Sequence, residues 1–195
     1  MKFYKKPVIT ALFILALMIK IGCCSDYSEA SGKYDDWGSF SGNYFDIQVE
    51  PGVDLKFVYR MLTRRFYYAN SAAHLGQFSD IKDKIAFRLD ELMERVKQVL
   101  DIYPAGNFKV GIRIYKDRKG LNREYFDIFN APADYKSFYI HKFQKIYVSQ
   151  EDISDSLMAH EMGHVVVDHY FKVVPPEKIR EMIASYVDLH LEDSK

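Results

Sequence analysis

Two apolar rhythms run through this sequence, and no single element can satisfy both. Phe108, Val110, Ile112 and Ile114 alternate with Lys109, Gly111, Arg113 and Tyr115, the two-residue period of a strand. Ile81, Ile85, Leu89, Leu92, Val96 and Val99 instead recur every three or four residues, as one face of a helix does. Ser79-Asp80 stands ready to cap that helix, and Pro104 and Gly106 are read as ending it. The same reading gives a strand over Tyr44–Val49, closed by Pro51-Gly52, and a helix on Leu55, Val58, Leu62 and Phe66. It continues with a short helix over Leu121–Phe129 and two short strands, Ser137–Ile140 and Lys145–Ser149. A helix over Asp152–Phe171 follows. After the Pro175-Pro176 break a last helix runs from Pro176 to about Leu191. The order βααβαββαα predicts an α+β fold, a small mixed sheet packed with helices.

Composition narrows the function classes. Apolar residues make up 48% of the 195, enough for one core and too many for a disordered chain. Lys and Arg number 27, as do Asp and Glu, so the balance lacks the basic excess that phosphate neutralisation needs, and no nucleic-acid partner is expected. The first 22 residues hold four of those lysines and no acid, which leaves 23 basic against 27 acidic residues elsewhere.

Those first residues read as an address. Lys2, Lys5 and Lys6 precede an uncharged apolar run, Val8–Ile19, which Lys20 ends before membrane-spanning length. Residues 1–24 are therefore expected to be a secretory signal peptide, and the protein to be exported to a bacterial cell envelope or beyond. Ile21-Gly22-Cys23 resembles the end of a lipobox, with Lys20 where an aliphatic residue is usual. Lipidation at Cys23 would give a membrane-anchored lipoprotein, and simple cleavage a periplasmic or secreted one. The membrane would be met only through that anchor. Residues 25–42, rich in Ser, Gly, Asp and Tyr, read as a flexible tether to a domain over 43–195. No cysteine follows Cys24, so the domain has neither disulfide nor thiol chemistry.

One segment carries chemistry: Ala159-His160-Glu161-Met162-Gly163-His164-Val165-Val166-Val167-Asp168-His169. His160 and His164 stand one helical turn apart, so both imidazoles leave the same face and can bind one Zn²⁺. Glu161 is one step around, where it can take a proton from water at the metal. His169 lies about 140° around the helix from His164 and points away. A catalytic zinc site needs a third protein ligand and an open position. Candidates sit on the last helix: Glu177 in its first turn, and Glu181 one turn on, sharing a face with Ala184 and Asp188. Ala184 is small enough for close helix approach, and Asp188 could hold a ligand imidazole.

His160-Glu161-x-x-His164, followed after a helix break by Glu181-x-x-Ala184, resembles the gluzincin zinc peptidases, the thermolysin-like group. The resemblance implies a zincin-like lobe whose HExxH helix is followed by a ligand helix. It implies one zinc ion on His160, His164 and Glu181, with Glu161 as general base and a peptide or protein as substrate. Asp168 matches an aspartate that often backs a ligand in that group, and the strand before the metal helix, here Lys145–Ser149, corresponds to the one that pairs with substrate. Gluzincins usually add a second lobe that supplies a Tyr or His to the oxyanion. Only 14 residues follow Glu181, so a minimal single lobe is expected, its helper sought at Tyr186 or His190. The competing expectation is a non-catalytic zinc-binding envelope protein that holds a partner. A weaker one is zinc hydrolysis of a non-peptide bond in the cell wall.

Overall fold

The computed structural model describes residues 32–63 and 77–192. The leader, Cys23 and the Phe66 end of the first helix lie outside the described residues. Five strands, β1 (Gly38–Ser41), β2 (Phe45–Val49), β3 (Val110–Tyr115), β4 (Ser137–Ile140) and β5 (Lys145–Ser149), form one sheet in the order β1-β2-β3-β5-β4. The middle pairings are parallel and the two outer ones antiparallel. With helices α1 (Leu55–Met61), α2 (Ile81–Leu100), α3 (Arg118–Phe129), α4 (Asp155–Tyr170) and α5 (Glu177–His190), the fold is α+β with a mixed sheet.

The strand periodicity sorts the two sheet faces. Ile47, Val49, Val110, Ile112, Ile114, Ile146 and Val148 face one way, into a core shared with Leu89, Met93 and Val96 of α2 and Met158, Met162 and Val165 of α4. Tyr115 and Tyr147 face the other way, against Leu121 and Ile128 of α3. Helix α4 is apolar nearly all round, with Met158, Ala159, Met162 and Val165 to Val167 buried, as a helix enclosed between layers must be. Its start is fixed by Ser154, whose side chain accepts from the Leu157 amide.

Three expectations change. Residues 38–41, placed in the tether by composition, form edge strand β1 on β2. The segment before them is docked as well. Tyr34 lies against the Arg113 guanidinium, 3.5 Å from ring centroid to carbon, and its hydroxyl donates to Glu124 at 2.6 Å. Trp37 sets its ring edge-on to Tyr115, centroids 5.1 Å apart. These contacts cover the buried Arg113 and Glu124, whose charges need partners inside the protein. Helix α2 ends at Asp101, which turns the chain at φ 53°, rather than at Pro104 or Gly106. Finally, β5 is an interior strand, so it cannot pair with substrate. The open edge near α4 belongs to β4.

The geometry of that edge follows from one bond. Ser149 N donates to Lys136 O at 3.3 Å, and antiparallel partners alternate, so Phe138 and Ile140 also turn their main chains to β5. Ser137 and Tyr139 therefore turn theirs outward. Among the described residues, β5 is the only strand paired with β4.

If residues 34–37 are part of the domain, Trp37→Ala costs about 1–2 kcal/mol of buried apolar and ring contact, read as a lower urea midpoint. An unchanged midpoint would show that the segment is a free tether.

Candidate metal centre

The site arises where α4 and α5 cross. Gly163 and the fully buried Ala184 meet at the crossing: a β-carbon on Gly163 would stand 3.0 Å from the Ala184 Cα. That contact brings Glu181, one turn before Ala184, over the histidine face of α4. His160 Nε2 lies 3.7 Å from one Glu181 oxygen and His164 Nε2 lies 3.4 Å from the other. Ligand atoms of the three residues fall within 4.8 Å of one another. Two atoms each about 2.0–2.1 Å from a tetrahedral centre stand about 3.3–3.4 Å apart. Both separations are longer than a good hydrogen bond, and the shorter one equals the spacing of two ligand atoms about one ion. The group could hold a metal ion.

Electrostatics favour the same use. Burial, with help from His160 and Arg180, pushes the His164 pKa down to about 4. At neutral pH the ring is uncharged, the state a metal ligand needs. Glu161 is 5% exposed. Burial raises its pKa to about 7, the Glu181 charge adds to the rise, and a hydrogen bond from Ser137 opposes it. That bond, from Ser137 Oγ to Glu161 Oε1 at 2.6 Å, ties the carboxylate to the open strand β4.

The other residues singled out in the sequence are placed differently. Asp168 acts on His164 electrostatically, but its Oδ2 accepts from His141 Nδ1 at 2.7 Å. His164 Nδ1 is buried with no hydrogen-bond partner among the described residues, so Asp168 does not orient the ligand ring. Asp188 does not hold a ligand imidazole either. It accepts from the Ser156 hydroxyl at the start of α4, because Ser156 and not His160 faces it across the helix pair. Tyr186 and His190 stack on one another, centroids 4.0 Å apart, on an exposed side of α5. Neither lines the cleft at the histidines. His169 stacks on Phe108 away from the site, as its angle implies. Glu177 lines the cleft but is outside the ligand group.

The cleft itself has a volume of about 370 Å³. Beyond His160, Glu161, His164 and Glu181 its walls hold residues the sequence reading missed: Tyr125 and Tyr135, Ser137 and Tyr139, and Arg180. Burial and the nearby Asp168 charge raise the Tyr139 phenol, so it remains a proton donor. Ser137 and Tyr139 share a period-two face of a strand already read. That periodicity was the available signal, and it lacked only the knowledge that the strand is an edge beside α4.

No protein-family model, no curated protein and no solved structure matches this chain. The site itself therefore carries the functional information. No described helix is long and apolar enough to cross a membrane.

The helix crossing supplies its own test. Gly163→Ala puts a methyl against backbone, so α5 must shift by a few tenths of an ångström, and Glu181 moves with it. Metal affinity, titrated against a competing chelator, should fall by about 10–100-fold, the range that misoriented ligands cost. Retention of wild-type affinity would mean that the close crossing does not set the ligand geometry.

Proposed function

We propose that this chain is a zinc-dependent peptidase of gluzincin type, built on a zincin-like lobe and acting outside the cytoplasm. The observation that carries the reading is the convergence of His160, His164 and Glu181 ligand atoms within 4.8 Å. They converge beside a buried carboxylate, Glu161, that is no part of the ligand group. Two imidazoles and one carboxylate form the donor set of catalytic zinc, which leaves a coordination position open. A structural zinc site would instead be closed by four protein ligands. Among the described residues only these three converge. That favours the peptidase over the non-catalytic zinc-binding protein.

Zinc, when bound there, supplies Lewis acidity to a carbonyl and to water. The chain's own residues do the rest. Glu161 accepts the proton of the attacking water and returns it to the leaving amine. Ser137 holds Glu161 Oε1 at 2.6 Å, which limits the carboxylate to one approach. The outward main-chain groups of Ser137 and Tyr139 can pair with an extended peptide, laying its backbone along β4 past the histidines. Tyr139, a phenol on the cleft wall, is the candidate electrophilic partner in place of Tyr186 and His190.

Glu161→Gln keeps the shape of the side chain and removes the base. Peptide hydrolysis should fall by about 10²–10⁴-fold with zinc content unchanged, as measured by elemental analysis of the same sample. Full activity in that variant would overturn the mechanism. Glu181→Ala should instead lose zinc first, and an unchanged stoichiometry would move the third ligand elsewhere.

A further inference from the structure

Arg180 is the one cationic side chain, Lys or Arg, among the described residues that line the metal cleft. It lies close enough to His164 and Tyr139 to act on both electrostatically. Glu177 and Glu181 flank it on α5, yet its guanidinium makes no ion pair or hydrogen bond among the described residues. Its Nε is buried without a partner. Glu181 is not available to it, since both Glu181 oxygens are turned to the histidines. A half-buried cation that no carboxylate pairs with directly is costly to maintain, and Asp168, which acts on the same two residues, is bonded to His141. Other buried cations of this chain are paired: Arg88 NH2 lies 3.7 Å from Asp155, and Arg113 NH1 lies 3.5 Å from Glu124.

The surroundings define what would satisfy Arg180. A guanidinium presents parallel N–H groups in a planar fork that a carboxylate matches with two charge-assisted bonds. Tyr125, Phe129, Tyr135 and Phe138 line the same cleft, with the Tyr125 ring 4.5 Å from Phe129 and 4.8 Å from Tyr135. An apolar wall strengthens a charge pair formed beside it.

We propose that Arg180 is the residue through which this cleft recognises a carboxylate on its peptide. The proposal rests on the peptidase reading above and adds a substrate class: peptides with a negative group next to the bond presented to Glu161. That group is either a free C-terminal carboxylate or an acidic side chain.

The test uses full-length, zinc-loaded Glu161→Gln protein and two pairs of dansyl-labelled tetrapeptides, with binding followed by fluorescence anisotropy. One pair differs only in a C-terminal carboxylate or amide. The other is amidated and carries glutamate or glutamine at the last position. The carboxylate member of one pair should bind about tenfold tighter than its neutral twin, and the pair that discriminates identifies the source of the charge. Adding Arg180→Gln or Arg180→Met should bring that ratio to roughly one, with zinc content and melting temperature recorded for each variant. Two neutral replacements of different polarity guard against one that fails to fold.

Equal binding within both pairs would overturn the proposal. So would a tenfold ratio that survives loss of Arg180, because the ion itself would then be attracting the carboxylate. A kcat loss in Arg180→Gln, on the Glu161 background restored to wild type, that is equal for acid and amide substrates would assign Arg180 to the oxyanion and also overturn it. A wild-type protein that cleaves none of the four peptides, while Glu161→Gln shows the expected ratio, refutes the peptidase reading and leaves the carboxylate site standing.

Discussion

Helices α4 and α5 can cross as closely as they do only because the backbone of α4 is bare at Gly163, where a β-carbon would meet the Ala184 Cα at 3.0 Å. The arrangement of the site follows from that contact. Glu181 precedes Ala184 by three residues, and the two helices run antiparallel, with Asp188 at Ser156 and Glu181 at His164, so Glu181 falls past Gly163 on the histidine face. His164 follows Gly163 directly. The glycine that admits the second helix thus lies between the two histidines in sequence. A larger residue there would keep both motifs in the sequence and separate them in space.

The second support of the site is the sheet edge. Glu161 cannot be held by α4 alone, since its side chain points off the helix towards β4. Ser137 meets it there, and the bond depends on the register that pairs Ser137 with Val148. A slip of one residue would turn the Ser137 side chain to the opposite face and bring Phe138 towards the carboxylate. The stack of Phe138 on Tyr147, centroids 4.8 Å apart, packs the far face of the same strand and so holds the register against such a slip. Aromatic packing on one face of β4 and proton chemistry on the other are thereby linked.

Much of this was legible in the sequence, for identifiable reasons. β4 and β5 fall on the residues that alternation and turn residues mark. Helices α2 to α5 differ from their periodicity by a few residues at most. His160, Glu161 and His164 sit where helical spacing places them, and Glu181 reaches them as its face predicts. What escaped notice lacked a local signal. Gly38–Ser41 offers Phe40 as its one apolar side chain, so no period could reveal β1. Asp101 and Asn130 end α2 and α3 at positive φ, as Gln144 ends the short turn before β5, where sequence reading looks for glycine. Strand order is a tertiary property, although the burial of β5 on both faces is what its run of Ile146, Tyr147 and Val148 implies for an interior strand. Asp188 and Arg180 were misjudged together, because reading α5 by the face of Glu181 overvalued one neighbour and overlooked the other.

The two helices of the site are unequally held, and that has a consequence for the metal. Helix α4 is enclosed by the sheet, α2 and α5. Helix α5 buries only Ala184 and Val187 and has no side-chain cap at its start. Its remaining ties are few, among them the Ser156–Asp188 bond and Arg95 Nε donating to Leu191 O at 3.1 Å. Two ligands stand on the firm helix and one on the lightly held helix, so an ion bound by all three is a cross-link between them. Binding free energy spent on drawing α5 into place appears as stability of that helix, and any contact that docks α5 beforehand appears as metal affinity. Gly163, Ala184 and Asp188 therefore belong to the metal centre energetically, although none of them could touch the ion.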